Sequence, residues 1–324
     1  MVALWLGYLT EDAKYVEQAT TINNGIGKPY RVESLPVLEW ARSHSSHWLM
    51  PYMQGLNLWA LARQDETLPL WVDLANTPDH AAFYVARANL ASQLNQTDPK
   101  PDLLQSVAQD DANRLTHVEL VRHFQSAGMW QQAMDWIKKI TQHWPDDFNL
   151  QLLQAKAHLF LLQPNEAISI METTRVLPSE NGRESHHLFE SAHLMRAIQL
   201  FAKNDFKSAR QHVSRSREWP ERLGQGKPYD VDVRMADYLD YRIALAEGHN
   251  SDAEEAAELI LISTGTDFTS PNPLNLLAAD VMRRNGFRKE ADDLRTRAKY
   301  GLENANVGLT KMLVDQATRM EASN

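Results

Sequence analysis

The chain has 324 residues, 33 basic and 42 acidic side chains, and a formal charge of −9. With 0 cysteines it can hold no disulfide, thiolate zinc site, iron–sulfur cluster or catalytic thiol. Hydrophobic residues at 43% and charged residues at 23% describe a globular chain, and the acidic balance argues against a broad nucleic-acid-binding surface.

In chain order, the first segment, MVALWLGYLTEDAKY, has no basic residues ahead of its short apolar stretch, so it does not read as a signal peptide. No later apolar run approaches the roughly 18 residues of a membrane span, and the expected compartment is the cytoplasm. The extreme N-terminus reads as the tail of a hairpin whose beginning is missing. Ser34–Arg42 predicts a short helix with Pro36 in its first turn, where proline is tolerated. His47–Gln64 with Leu68–Ala75 predicts one helical hairpin, and Asp79–Leu94 with Pro101–Asp110 a second. Polar breaks at 22–30, 97–101, 178–183, 220–229 and 265–273 separate helical segments, and none is long enough for an interdomain linker. The expected division is residues 1–112 as degenerate hairpins, 113–300 as five repeats with inserted loops, and 301–324 as a capping helix and tail. That last helix would place Leu309, Met312, Leu313 and Gln316 on one side.

The repeats are plainest at Asn113–Trp144, where Gly128, Trp130, Ala133 and Pro145 fall in order. Glycine ends the first helix, the aromatic plugs the turn, a small residue admits close packing, and proline stops the second helix. This pattern resembles the tetratricopeptide repeat. Ala133 is followed by Ala167, Ala209, Ala253 and Ala291, at spacings of 34, 42, 44 and 38 residues. The first spacing is the period of that repeat, and the longer ones imply insertions at the breaks. Twelve residues before each alanine stand Val121, Ala155, Ala197, Tyr241 and Ala279, the expected contacts on the partner helix. Five before stand Gly128, Leu162, Asn204, Gly248 and Gly286, the expected turns. The fold class expected is all-α, a right-handed α-solenoid of antiparallel helix pairs, with the five alanines marking repeat packing.

Residues 28–41, KPYRVESLPVLEWA, and 217–228, REWPERLGQGKP, resemble recurring motifs of large bacterial proteins that place an uncharacterised domain ahead of tetratricopeptide repeats. The resemblance covers roughly Tyr30 to Arg297, with Arg31 standing where an aromatic is common. It implies that the chain is the C-terminal solenoid of a longer polypeptide, and the alternative function is part of a carbohydrate-active enzyme or a carbohydrate-processing accessory module.

Candidate chemistry weighs against catalysis. GIGKP (25–29) and GQGKP (224–228) share a Gly-x-Gly-Lys core, but Pro29 and Pro228 stand where a phosphate loop needs Ser or Thr. His186, Glu190 and His193 share one helix face without the pairing of a zinc motif, so no metal or other cofactor is expected. Glu254–Glu255 and Asp292–Asp293 read as solvated faces rather than a glycosidase pair. Trp40, Trp48, Trp59, Trp71, Trp130, Trp136, Trp144 and Trp219 read as packing plugs, with sugar platforms the other possibility.

In tetratricopeptide proteins, the residues 15 and 11 before the alanine point from the first helix into the concave groove. Here the first set is Val118, Leu152, Leu194, Tyr238 and Leu276, an apolar ladder. The second is Arg122, Lys156, Ile198, Arg242 and Asp280, partly basic. Aliphatic residues replace the lysine that clamps a peptide carboxylate in chaperone-tail binders, which excludes that role. Three readings stay open: a groove for an apolar or acidic partner segment, a groove filled by the missing domain or the chain's own loops, and ordinary core. The expected function is a non-catalytic scaffold for protein–protein or interdomain contacts. Its partner would be a protein or the absent N-terminal domain, and not nucleic acid or membrane.

Overall fold

Five residues, one at each expected turn, take left-handed backbone angles: Gly128 (φ 71°), Leu162 (60°), Asn204 (59°), Gly248 (78°) and Gly286 (89°). After four of them the next amide reaches back to the carbonyl five residues earlier: Gln163 to His158, Asp205 to Leu200, His249 to Ala244 and Phe287 to Met282, at 2.9–3.1 Å. This is the Schellman closure, which satisfies carbonyls orphaned at a helix end and reverses the chain into the next helix. The same closure recurs upstream at non-glycine positions, Glu11 (φ 53°), Ala62 (59°) and Asn95 (50°).

The computed structural model describes residues 1–21, 27–178, 183–265, 272–302 and 308–320, and among these there is no strand. Parts of the breaks at 22–30, 178–183 and 265–273, the first residues of GIGKP, and parts of the C-terminal segment lie outside the described residues. Two compact units divide the chain, Met1–Ala127 and Gly128–Asn324. The first unit ends just after the helix of residues 114–126, which packs on the helix before it.

The first unit contains α1 (Val2–Thr10), α2 (Lys14–Thr21), α3 (Ser34–Ser43), α4 (Leu49–Ala60), α5 (Gln64–Val72), α6 (Ala81–Gln93), α7 (Lys100–Gln109) and α8 (Arg114–Ser126). Helices α1 and α2 pair with each other as a hairpin closed at Glu11. The pairs α4/α5 and α6/α7 follow as expected. Gly55 and Thr67 keep the twelve-residue offset of the downstream repeats: the Thr67 hydroxyl donates to the Gly55 carbonyl at 3.2 Å. A Cβ on Gly55 would lie 2.1 Å from Trp71 Nε1, so glycine is what lets α5 seat its buried tryptophan on α4. Arg87 joins α6 to its neighbours, bonding Asp102 at 2.8 and 2.6 Å and the Trp71 and Ala75 carbonyls at 3.0 and 2.7 Å.

The second unit contains α9 (Trp130–Ile140), α10 (Phe148–Phe160), α11 (Pro164–Thr173), α12 (Glu184–Phe201), α13 (Phe206–Ser216), α14 (Arg234–Glu247), α15 (Asn250–Thr264), α16 (Asn275–Arg284), α17 (Arg288–Leu302) and α18 (Gly308–Thr318). The hairpins are α10/α11, α12/α13, α14/α15 and α16/α17, each first member packing along the next. Ala133, Ala167, Ala209, Ala253 and Ala291 are at most 2% exposed, and Ala155, Ala197, Tyr241 and Ala279 at most 4%. Trp130 stacks on Phe160 at 3.9 Å between centroids, joining α9 to α10.

The REWPERLG segment ties three hairpins together. Arg217 reaches Asp237 and Asp240 of α14, both at 2.8 Å. Trp219 stacks on His186 at 3.4 Å, and Arg222 bonds Glu172 at 2.8 Å and the Met171 carbonyl at 3.1 Å. The Arg222 carbonyl accepts from Val176, and Ser185 donates to the Leu223 carbonyl at 2.8 Å. Gly224 (φ 68°) closes the segment where a Cβ would stand 2.5 Å from the Val176 carbonyl oxygen. The segment is therefore a motif of structure, and no phosphate cradle forms at GQGKP, where Gly224 ends a single 3₁₀ turn, Glu221–Leu223.

Candidate functional site

The first members of the hairpins, α10, α12, α14 and α16, present one face of the second unit, and α18 lies on it. Helix α18 packs against α12 and α16 and is bonded to α14. Leu309, Leu313, Val314, Ala317 and Met320 are buried with the core of the unit. This buried face differs from the expected one: Val314 and Ala317 are inside, whereas Met312 and Gln316 are only half-buried. Instead of covering the last hairpin as an end cap, α18 spans the three hairpins before and including it. Its apolar side is broad enough to need several helices beneath it.

Arg242 centres this contact. Its Nη1 donates to Tyr238 Oη at 3.1 Å and to the Ala317 carbonyl at 3.3 Å, and its Nη2 donates to the Met320 carbonyl. Tyr238 Oη donates to Asp280 at 2.5 Å, and Arg284 bonds the same carboxylate at 2.5 Å. Burial holds the Tyr238 hydroxyl protonated, well above the usual phenol range, so it remains a donor to Asp280. The last carbonyls of a helix lack partners within it and carry its negative end, which a guanidinium fork satisfies by charge and by geometry together. At the other end of α18, Thr310 Oγ1 lies 3.4 Å from His187 Nε2 of α12.

Two clefts flank α18. One, of about 410 Å3, is bounded by α16, α17 and α18 and lined by Leu276, Asp280, Arg295 and Lys311 among others. The other, of about 700 Å3, is lined by Ile198 of α12, by Ala202 just beyond that helix, and by Met312, Gln316 and Met320 on the α18 side.

The expected ladders do not form an open channel. Leu152, Leu194 and Tyr238 are buried in the second unit, Val118 is buried in the first, and Leu276 is half-buried at the first cleft. Neither do the basic positions make a stripe. Exposed Arg122 pairs with Glu119 on its own helix at 2.8 Å, and Lys156 pairs with Glu184 of α12 at 3.0 Å. Arg242 is buried beneath α18, and Ile198 lines its flank. At Arg242 and Ile198 the chain's own α18 covers or borders this face.

The histidines of α12 diverge. His186 donates from Nε2 to the Glu218 carbonyl at 2.9 Å and stacks on Trp219. His193 meets His212 at 2.9 Å between Nδ1 atoms, with Glu172 at 3.8 Å from its Nε2. Burial, then the neighbouring His212 and Arg215, push His193 down to about 4, so it stays neutral. Among the described residues no group of three or more His, Asp or Glu is placed to hold a metal. None of the nine tryptophans is exposed, and Glu254, Glu255, Asp292 and Asp293 lie on exposed faces of α15 and α17. No described helix is long and apolar enough to cross a membrane.

No family model and no curated sequence matches the chain. In structure it is similar to a tetratricopeptide repeat protein from Parabacteroides merdae, with a TM-score of 0.54 at 10% identity over 84% of this chain and 99% of that one. A pilF structure from Pseudomonas aeruginosa aligns at a TM-score of 0.39 and 15% identity over 65% of this chain and 88% of that one. The fold assignment rests on the first likeness together with the left-handed turns and the twelve-residue packing offset. The fold is that of tetratricopeptide-repeat proteins: all-α, built of antiparallel helix pairs.

Proposed function

We propose that the chain is a non-catalytic interaction scaffold, part of a larger multidomain bacterial protein, and that it docks a protein partner or a further domain of its own polypeptide on the α10–α12–α14–α16 face. One observation supports this reading above the rest: that face already accommodates a helix, α18, by burying its apolar side and bonding its terminal carbonyls. A surface that seats one helix in this way has the depth and the donors to seat another. The polar groups near it serve packing, with Asp280 held by Tyr238 and Arg284, and Glu172 by Arg215 and Arg222.

Photo-crosslinking in the producing cell tests the docking face. A benzophenone side chain at Lys156 or Ile198, on α10 and α12, should give one defined adduct with a single protein or domain. The same group at Leu259 or Ile262, exposed on α15, should not. Adducts formed only from α15 would contradict the proposal.

A further inference from the structure

We infer that α18 is an internal ligand of a helix-binding groove, and that the partner it stands in for is an amphipathic helix carrying aliphatic and small side chains at the spacing of Leu309, Leu313, Val314, Ala317 and Met320 and ending at Arg242. The inference rests on the interaction reading and names the partner's chemistry and its control.

Three observations carry it. First, α18 is not the second member of a hairpin. Each of α10, α12, α14 and α16 already has its partner, and α18 crosses α12 and α16 instead. The repeat architecture is complete beneath it. Second, the groove reads a helix end as well as an apolar face. Arg242 donates to the Ala317 and Met320 carbonyls, and Tyr238 and Asp280 hold the guanidinium's surroundings in place. An apolar face alone lets a helix slide by a turn; a buried fork at its C-terminal carbonyls fixes register and direction. Third, the groove is wider than its occupant. Clefts of about 410 and 700 Å3 run along the two sides of α18. A helix held on its underside and open along its flanks can be exchanged at lower cost than one packed all round.

Tethering sets the competition. Helix α18 belongs to the same chain as the groove, so it competes at the high effective concentration of an intramolecular ligand. A free helix of the same sequence binds the intact chain poorly for that reason. Weakening α18 in place opens the groove to a ligand supplied from outside.

The test uses the full chain and a fluorescent synthetic peptide of residues 308–320, followed by anisotropy. In the L313D/V314D chain the peptide should bind at least about tenfold tighter than in the wild type, by release of the tethered competitor. Adding Arg242→Met should reverse most of that gain, whereas Arg210→Met, on α13 away from the groove, should not. Circular dichroism and a urea titration of each variant accompany the binding curves. No gain in affinity with a fully helical, cooperatively unfolding L313D/V314D chain overturns the inference, and so does wholesale loss of helix in that variant, which would show that the hairpins do not stand without α18. Either result leaves the crosslinking test of the docking face standing, so the two failures are distinguishable.

Discussion

The guanidinium of Arg242, in the middle of α14, donates to the main-chain carbonyl of Met320, just beyond the last turn of α18. The two residues are 78 apart in sequence, and no local rule of helix formation links them. Replacing Arg242 by methionine keeps an apolar stem and leaves the Met320 carbonyl and Tyr238 Oη short of a donor, while the Ala317 carbonyl keeps the Met320 amide. The expected cost is about 2 kcal/mol, read as a lower urea midpoint. Amide exchange should accelerate first in 309–320. Arg242→Lys should not restore the loss, because one ammonium cannot span the positions that the fork reaches.

Leu162 is a left-handed residue with a full side chain (φ 60°), 52% exposed and so without packing to compensate. An L-residue there costs about 1–2 kcal/mol, and glycine loses up to about 1 kcal/mol of that advantage through its freer unfolded chain. Leu162→Gly should therefore stabilise the chain by about 0.5–1 kcal/mol in a urea titration, an unusual direction for a leucine-to-glycine change.

Gly224 presents the opposite case. It combines φ 68° with a carbonyl oxygen 2.5 Å from where a Cβ would stand. Gly224→Ala should cost about 3 kcal/mol, since backbone and not a flexible side chain must move. The loss should be accompanied by faster exchange at Val176, whose amide bonds the Arg222 carbonyl in this segment.

His193 makes stability depend on pH. Its folded value is about 4 against an ordinary 6.5. Between those values the unfolded chain takes up the proton and the folded chain does not. Its contribution is therefore complete above pH 6.5 and is lost as pH falls toward 4, by up to about 1.4 kcal/mol per pH unit. The groups facing it are His212, Glu172, Arg215 and Arg222, and His212 is lowered as well, first by burial and then by Arg196 and Arg215. His193→Gln should flatten the slope of unfolding free energy between pH 6.5 and 4, measured by urea titration at several pH values.

Much of the fold was legible because its signals are local. A left-handed turn residue and a small residue five positions later mark a hairpin wherever they recur, and the spacing placed Leu162 at a turn although leucine is a poor choice for one. The upstream hairpins were harder to read as repeats because their substitutions are reciprocal. Glycine moved to the first helix at Gly55, threonine replaced alanine at Thr67, and Ala62 took the turn. The REWPERLG segment stood out as a motif, but its work depends on Glu172, His186 and Asp237, which sequence order leaves dispersed. The groove was only half legible. Spacing singled out Arg242, which bonds α18, and Ile198 and Leu276, which line the clefts beside it. Amphipathicity in α18 says that one side is buried and cannot say against which helices, so its seat on α12, α14 and α16 was beyond reach.

Helix α18 lies on the face of α12, α14 and α16. Because the chain has 0 cysteines, a single engineered pair tests it without background. Ile198→Cys with Met312→Cys, both lining the cleft beside α18, should be joined within one chain by a short bis-maleimide under native conditions and not in urea. Ile262→Cys with Met312→Cys, the first exposed on α15, should stay unlinked. An unlinked Ile198–Met312 pair in the folded chain, or a linked Ile262–Met312 pair, would place α18 elsewhere.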